Sequence, residues 1–195
     1  QPWSVIVERD RDRAQKLSEL CGGQKFIAEA PVNLLFLLDW HRYQIYAAQK
    51  DAPFTAYKSY MHFLIGVEDV MCAAQSVETA CHLVGLGSCY VGSSNHCGAA
   101  LAEMYCLPQL TYPVVLLSLG WPKTQPAVAP KLDPSVIIFE GRYPDLTDEQ
   151  IYQAYEEKLR GRTLSLPQKE PFRSEMLDNL RRSLSTTFAP DKVEA

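Results

Sequence analysis

The chain opens with short apolar runs separated by a charged stretch of helical period. Residues 3–8 have the character of a short strand, and the charged run 9–16 begins an amphipathic helix that Gly22 and Gly23 end. Residues 32–38 are almost all apolar and of strand length, which is typical of a strand buried on both faces. The first part of the chain is therefore predicted to form a strand, a helix and a central strand.

A long helical pattern occupies residues 56–84, after a mixed segment at 40–55 that predicts a helix followed by a loop. Apolar side chains in 56–84 recur at spacings of three and four, which predicts one long helix. Small residues along it allow another helix to approach closely, namely Gly66, Ala73, Ala74, Ser76 and Ala80. We expect this helix to be central to the fold and a candidate for a contact between subunits.

Glycine and proline divide the next part of the chain into short elements. Gly85 suits the left-handed conformation of a helix C-cap, and an extended segment at 89–91 and a short helix at 99–105 follow it. The apolar run 114–119 predicts another buried strand. After a proline-rich loop, residues 135–140 predict a last strand that closes the core.

Toward the C-terminus the composition becomes charged and helical. The segment Thr147-Asp-Glu-Gln150 is the signature of a helix N-terminus, and this helix should reach about residue 159, with a second modest helix near 174–184. Apolar residues are too few there for a separate core. We therefore expect a domain at 1–143 and a C-terminal helical arm at 144–195.

Composition and charge exclude several classes of function. A chain of 195 residues with 47% hydrophobic content fits one ordinary domain, and a net charge of −4 leaves no excess of cations for nucleic acid. The longest apolar runs are far shorter than the roughly 20 residues that cross a bilayer. The six cysteines form no CxxC pair and no spacing suited to a metal. We expect reduced thiols, no metal, and a cytoplasmic location.

The order of these elements, together with a set of short motifs, resembles the nitroreductase family of FMN enzymes. Each motif alone is weakly specific, but their order and spacing agree over roughly the first 140 residues. The matching motifs are Gln1-Pro2-Trp3, Ala30-Pro31 before the strand that ends in Asp39, Gly85-Leu-Gly87, Leu107-Pro108, and the run Tyr112 to Lys123.

The resemblance implies an α+β fold, with a mostly antiparallel sheet of four to five strands flanked by helices, and a homodimer with two FMN sites at its interface. The long helix would then bury its small-residue face against its twin. The cofactor-binding residues that the resemblance assigns are Tyr90, Val91, Gly92, Ser93, Lys131 and Gln1. Residues 90–93 would lie beside the isoalloxazine ring, with a backbone N–H facing N5, and Lys131 would hold the ribityl or phosphate group. The family's phosphate-binding arginines are expected upstream of Gln1.

The implied activity is that of an FMN-dependent NAD(P)H oxidoreductase with ping-pong kinetics. NADH or NADPH would reduce FMN, and a nitroaromatic, a quinone or a similar acceptor would then take the electrons. No catalytic side chain is assigned, because small residues such as Gly92 offer backbone and shape to the ring. Two alternatives stay open: a specialised flavin enzyme of the dehalogenase or dehydrogenase type, and a non-catalytic flavin-binding or scaffolding dimer.

Other side chains near these motifs have more ordinary interpretations. Cys89 and Cys97 flank the 90–93 segment and are interpreted as packed thiols. His41 follows a strand end, where functional loops gather, and is a candidate for contact with substrate. The aromatic residues after this strand end would suit a cover over a planar acceptor, namely Trp40, Tyr43, Tyr46 and Phe54.

Overall fold

The computed structural model describes residues 1–124 and 128–164, with side chains as far as residue 160. The chain divides into two compact units, Gln1–Lys123 and Thr124–Ala195. The first unit contains the sheet and its covering helices, and the described part of the second contains proline-rich residues and a long helix. The arm expected at 144–195 extends into residues outside the described range and stays a prediction.

The first unit is built on an antiparallel sheet that has four strands in the described residues. The strands are β1 (Trp3–Glu8), β2 (Val32–Asp39), β3 (Gly87–Val91) and β4 (Thr111–Gly120). Their order across the sheet is β1-β2-β4-β3, and each neighbouring pair is antiparallel. The two most apolar runs therefore occupy the two central positions. The antiparallel pairing confirms the mostly antiparallel sheet that the resemblance implies.

Helices cover both faces of this sheet. The helices are α1 (Arg11–Leu20), α2 (Lys25–Glu29), α3 (His41–Gln49), α4 (Tyr60–Leu83) and α5 (Gly98–Met104). One buried cluster joins α1, α2 and α5 to the sheet through side chains that include Leu17, Ile27, Leu35, Leu101 and Leu116. A second cluster joins α4 to the opposite face through side chains that include Phe36, Leu38, Val70, Ala74 and Leu117. The sheet is thus the middle of three layers.

A β-bulge interrupts the pairing of the two central strands. Phe36 pairs with Val115 and Leu37 pairs with Pro113, so Val114 is the extra residue. The bulge explains how a proline fits in a central strand, because it falls where the ladder is already irregular. It also explains why consecutive residues, Val114 and Val115, both pack in the α4 layer.

The small residues of α4 serve its contact with the sheet. A Cβ added at Gly66 would lie 2.6 Å from Cδ1 of Leu38, and Ala74 is fully buried in the same layer. Ser76 and Ala80 are exposed. The expected small-residue face therefore does not exist as one surface, because Gly66 and Ala74 are used to seat the helix on its own sheet. The predicted position of α4 as a central helix is confirmed.

Local signals at the helix ends agree with the sequence. Gly22, Gly23 and Gly85 all have positive φ, as their C-terminal positions after α1 and α4 require. Asp10 caps α1 by accepting a hydrogen bond from the backbone N–H of Arg13 at 2.9 Å.

A buried carboxylate links β1 to α1. Glu8 is almost fully buried, and its two oxygens accept hydrogen bonds from the Arg13 Nε and from the Asp10 backbone N–H, each at 2.8 Å. Burial by itself raises the pKa of Glu8, but the hydrogen bonds and the charge of Arg13 outweigh it and hold the pKa below its ordinary value. Glu8 is therefore ionised and paired in the folded protein at neutral pH.

This lowered pKa predicts a loss of stability in acid. A carboxyl group with a lower pKa in the folded state contributes stability above its unfolded pKa, about 4.3 for Glu, and loses it as the pH falls through the folded pKa. We expect the free energy of unfolding, measured with urea, to fall more steeply in the native protein than in Glu8→Gln as the pH is lowered from about 5 to about 3. Glu103→Gln, which alters an exposed carboxylate, should keep the native slope. Equal slopes for all three proteins would contradict this role of Glu8.

The second unit contains a 3₁₀ turn at Pro134–Val136 and helix α6 at Asp148–Leu164. The prediction of a strand at 135–140 is wrong, because these residues form the 3₁₀ turn and irregular structure after it. Asp133 accepts a hydrogen bond from the Ser135 N–H, and the Pro134 carbonyl accepts the N–H groups of Ile137 and Ile138, so a local turn satisfies these backbone groups.

The predicted start of α6 is confirmed in detail. Thr147 Oγ1 accepts a hydrogen bond from the Gln150 N–H at 3.3 Å, and Gln150 Oε1 accepts one from the Thr147 N–H at 2.9 Å. This reciprocal pair is a capping box. The helix expected near 174–184 lies outside the described residues. Within residues 1–124 and 128–164, no helix is both long enough and apolar enough to cross a bilayer.

Candidate functional site

The end of β3 sends two consecutive side chains into opposite layers of the fold. Tyr90 packs in the layer shared with α4, and Val91 is 1% exposed in the layer formed with α1, α2 and α5. This alternation is the period-two geometry of a strand. The Val91 side chain is therefore enclosed by protein, and what Val91 can offer a ligand is its backbone.

The Tyr90 hydroxyl lies near enough to Glu78 of α4 for the charge of this carboxylate to act on it. Glu78 accepts hydrogen bonds from Gln75 Nε2 at 2.7 Å and Ser88 Oγ at 3.3 Å, and its Oε1 lies 2.9 Å from His82 Nε2. The hydroxyl itself is buried and finds no hydrogen-bond partner in the described part of the chain. Burial, and then the negative charge of Glu78, raise the pKa of Tyr90, so the phenol is neutral at physiological pH.

Gly92 is the first exposed residue after β3 and begins a 3₁₀ turn, Gly92–Cys97. A Cβ built on Gly92 would have no atom of the described chain within 4 Å. Gly92 therefore faces open space, although the residues on either side of it are partly or fully packed. A flat ring can approach the backbone closely at such a position. The exposed backbone at Gly92 therefore fits the flat face of an isoalloxazine ring, and we call it the open wall at Gly92.

Ser93 holds this turn against the loop between α1 and α2. Its Oγ donates a hydrogen bond to the Cys21 carbonyl at 2.9 Å and accepts one from Gln24 Nε2 at 2.8 Å. Gln24 Nε2 also donates to the Cys21 carbonyl, at 2.9 Å. Three groups thus close a small hydrogen-bonded ring, which fixes where the Gly92-Ser93 backbone lies.

Ser94 supports the start of the turn Gly92–Cys97, and Asn33 joins the central strands to α2. Ser94 is buried, and its Oγ donates a hydrogen bond to the Val91 carbonyl at 2.8 Å, which closes the start of the turn. Deeper in the fold, Asn33 accepts a hydrogen bond from Ser118 Oγ at 2.6 Å and donates one to the Ile27 carbonyl at 2.9 Å. This buried pair connects both central strands to α2.

The structure does not bring Gln1 together with residues 90–93 within one chain. Gln1 precedes β1, which is one edge of the sheet, whereas residues 90 and 91 end β3, the opposite edge. The Gln1 backbone nitrogen donates a hydrogen bond to the Tyr43 hydroxyl at 3.0 Å, and the Gln1 carbonyl accepts one from Arg42 at 3.3 Å. Gln1 is therefore attached to the start of α3, and its cofactor role stays a prediction.

Lys131 lies in the second unit and is exposed. It stands two residues before Asp133, the residue that caps the 3₁₀ turn. The Lys131 backbone is close in sequence to this turn, and the Lys131 side chain is exposed to solvent. The assignment of Lys131 to FMN rests on the resemblance and also stays a prediction.

The aromatic residues that follow β2 separate into two kinds. Trp40 is buried in the α4 layer, so it is a core residue and no cover for a ligand. Tyr43 stacks on Phe54 with ring centroids 6.2 Å apart, and Tyr46 is exposed. A cover over a planar acceptor, as expected from the sequence, would therefore use Tyr43, Tyr46 and Phe54.

Sequence reasoning missed the role of Gln24. This residue lies 69 positions before Ser93, in a loop that matches no motif, so no local pattern indicated their contact. Within the described residues, no three His, Cys, Asp or Glu side chains are placed to hold a metal ion. The polar groups that surround Gly92 and Ser93 are backbone groups, a hydroxyl and the Gln24 amide.

Comparison with known proteins shows which family and fold the chain resembles. The model of the nitroreductase family matches residues 1–121. The oxygen-insensitive NADPH nitroreductase of Salmonella typhimurium is 31% identical over 192 residues, covering 98% of this chain and 77% of that protein. The chain spans 64–65% of the length of three further curated relatives.

Solved structures show the same fold. A crystal structure from Bacteroides fragilis is 30% identical with a TM-score of 0.85, covering 100% of this chain and 77% of that one. The NADPH:FMN oxidoreductase from Vibrio harveyi, solved with NAD⁺, is 26% identical with a TM-score of 0.73, covering 83% of this chain and 68% of that one. The motifs, the antiparallel sheet and these matches lead to one conclusion: the chain belongs to the nitroreductase family.

Proposed function

We propose that the protein is an FMN-dependent NAD(P)H oxidoreductase that transfers electrons to a nitroaromatic, quinone or similar acceptor by a ping-pong mechanism. The observation that carries the proposal is the open wall at Gly92, held in place by the hydrogen bonds of Ser93. The relatives named above support it, since their names describe NADPH nitroreductase and NADPH:FMN oxidoreductase activities. FMN, when bound, supplies the hydride acceptor at N5 and passes the electrons on.

The residues of this chain would bind and orient the cofactor. Backbone N–H groups at Gly92 and Ser93 would face the ring, where a donor stabilises the reduced flavin electrostatically. Tyr90 and Val91 would hold the backbone before Gly92 in position, because their side chains pack in the two buried clusters. Lys131 would supply positive charge to the ribityl or phosphate group. No side chain is assigned a proton-transfer step.

We also propose that the protein is a homodimer. Exposed apolar side chains on the N-terminal half of α4 support this, because a surface of this kind is typical of a subunit interface. They are Tyr60, Met61, Leu64, Ile65 and Met71. Residues 144–195 would wrap the partner subunit, and exposed Ile151, Tyr152 and Tyr155 on α6 support such a role. A cytoplasmic location fits the six free cysteines, all of which lie in the described part of the chain.

The proposal is tested by the colour of the purified protein and its response to reductant. We expect a yellow protein whose flavin absorption band is lost on addition of NADPH or NADH and returns when a nitroaromatic or quinone is added. The rate should be measured against both substrates, because a ping-pong mechanism gives parallel double-reciprocal lines. A protein that binds no FMN, even when FMN is supplied, would overturn the proposal and favour a scaffolding role.

Lys131→Ala is expected to weaken FMN binding about tenfold or more, because a hydrogen bond to a charged group is worth about 1.5–3 kcal/mol. The measurement is a titration of the flavin-free protein with FMN, followed by quenching of the flavin fluorescence. Lys16→Ala, which removes an exposed lysine from α1, is the matched control and should bind FMN normally. Full affinity in Lys131→Ala would show that this lysine does not hold the phosphate.

A further inference from the structure

Two cysteines meet behind the turn that carries Gly92 and Ser93. The Sγ atoms of Cys21 and Cys97 are 4.0 Å apart, although the residues are separated by 76 positions in the sequence. Cys21 follows the last turn of α1 and is fully buried, whereas Cys97 ends the 3₁₀ turn and is partly exposed. Both thiols are free. The sequence-based interpretation of Cys97 as a packed thiol is therefore incomplete, because its packing partner is another thiol.

The two sulfur atoms are close enough to bond after a small movement. A disulfide joins sulfur atoms at about 2.05 Å, so the present separation must shorten by about 2 Å. Cys21 is the C-cap residue of α1 and Cys97 is the last residue of the 3₁₀ turn, so neither lies in the middle of a regular element, where a shift would break several hydrogen bonds at once.

We propose that Cys21 and Cys97 are an oxidisable dithiol that a hydroperoxide converts to an intramolecular disulfide, and that this disulfide re-shapes the turn Gly92–Cys97. The consequence for FMN rests on the proposed function, whereas the oxidation itself does not.

The reaction takes place in two balanced steps. Cys97 Sγ attacks one oxygen of hydrogen peroxide; the S–O bond forms, the O–O bond breaks, and Cys97 sulfenic acid and one water are produced. Cys21 Sγ then attacks Cys97 Sγ; the S–S bond forms, the S–O bond breaks, and the hydroxyl leaves with the Cys21 proton as a second water. Two thiols lose two electrons in total, and the peroxide is reduced to two waters.

The burial of the two residues determines their order of reaction. Cys97 is the thiol that a dissolved peroxide can reach, because Cys21 has no exposed surface. Burial, and then the neighbouring Cys97, raise the pKa of Cys21 to about 12, so Cys21 is a poor nucleophile toward peroxide in solution. It becomes a resolving thiol only when an electrophilic sulfur is formed beside it.

The disulfide would act on the turn through contacts that Cys97 makes now. Cys97 Sγ lies 3.4 Å from the Ser94 carbonyl and 3.8 Å from the Ser93 carbonyl, as a weak donor to both. Bonding to Cys21 removes this donor and draws the end of the turn toward α1. Because Ser93 Oγ is already hydrogen-bonded to the Cys21 carbonyl, the shift is transmitted to the segment that begins at Gly92.

The test uses the full-length protein in its reduced state and after treatment with hydrogen peroxide. Remaining thiols are blocked with N-ethylmaleimide, and the protein is digested without reductant and analysed by mass spectrometry. We expect a linked peptide containing Cys21 and Cys97, two hydrogens lighter than the sum of its parts and separated by dithiothreitol. Amide hydrogen exchange in residues 92–97 should differ between the two states, and FMN affinity should fall about fivefold, as for the loss of one hydrogen bond.

Variants separate this dithiol from the other cysteines. The triple variant Cys72→Ser, Cys89→Ser, Cys106→Ser, which removes the exposed thiols, should still give the linked peptide. Cys97→Ser should abolish it, and Cys21→Ser should leave a sulfenic acid at position 97 that dimedone traps.

Oxidation of native protein without the linked peptide would overturn the proposal. Unchanged amide exchange in the linked protein would overturn its effect on the turn. A protein that forms the linked peptide and alters amide exchange, but binds no FMN in either state, would refute the proposed function and leave the dithiol supported.

Discussion

Gly92→Val is expected to remove most of the FMN from the purified protein and to leave the fold intact. A Cβ at this position has no neighbour within 4 Å among the described residues, so the valine branch enters open space and strains no core contact. The same branch would occupy the volume in which the ring approaches the backbone. An intrusion of this size costs about 1–3 kcal/mol, which is about a 5- to 150-fold loss of FMN affinity.

The measurement pairs flavin content with a stability assay. Flavin per chain is read from the absorption spectrum, and the urea midpoint is read from circular dichroism. Gly98→Val is the matched control, because a Cβ at Gly98 also meets no described atom within 4 Å, and Gly98 lies beyond the turn. We expect Gly98→Val to retain FMN. Normal flavin content in Gly92→Val would refute the placement of the ring at this wall.

Asn33→Leu is expected to lower the free energy of unfolding by about 3 kcal/mol. The substitution leaves the Ser118 hydroxyl and the Ile27 carbonyl buried without their present hydrogen-bond partner. Each such unpaired group lowers the stability by about 1–3 kcal/mol, and burial of the apolar leucine side chain offsets part of this loss. Asn33 and Ser118 are both buried in the central strands, so water cannot replace the lost bonds. The measurement is urea unfolding at one fixed protein concentration.

A double-mutant cycle distinguishes this mechanism from simple misfit of leucine. Ser118→Ala alone should cost less, because it leaves the Asn33 amide bonded to the Ile27 carbonyl. The double variant Asn33→Leu, Ser118→Ala should be more stable than the sum of the two single effects predicts, because both members of the pair are removed together. Strict additivity, or an Asn33→Leu protein as stable as the native one, would be evidence against the buried pair as a source of stability.

Local patterns predicted most of the first unit and the start of α6 in the second. The apolar runs at 32–38 and 114–119 became the central strands because such runs can be buried on both faces only inside a sheet. Gly85 was recognised as a helix end because few other residues adopt positive φ at low cost. The capping box at Thr147 was recognised because its partners are three residues apart.

Contacts between distant residues were not predictable in this way. The residues that hold the turn after β3, Gln24 and Ser93, are 69 positions apart, and the two thiols behind it are 76 positions apart. The prediction of a strand at 135–140 is wrong for a different reason. Its β-branched residues favoured a strand, but the preceding Asp133-Pro134 pair forms a turn that takes up the same backbone groups.

The opposite orientations of Tyr90 and Val91 affect how this region can evolve. Substitutions at these two positions change the packing of the core and therefore the stability of the fold, whether or not a ligand is bound. A side chain added at Gly92 meets no described atom within 4 Å and should leave that stability unchanged. Selection for stability and selection on the proposed flavin contact would therefore act on different, adjacent positions. A mutational library confined to Gly92 would vary flavin affinity in proteins that still fold, which a library at Tyr90 or Val91 would not.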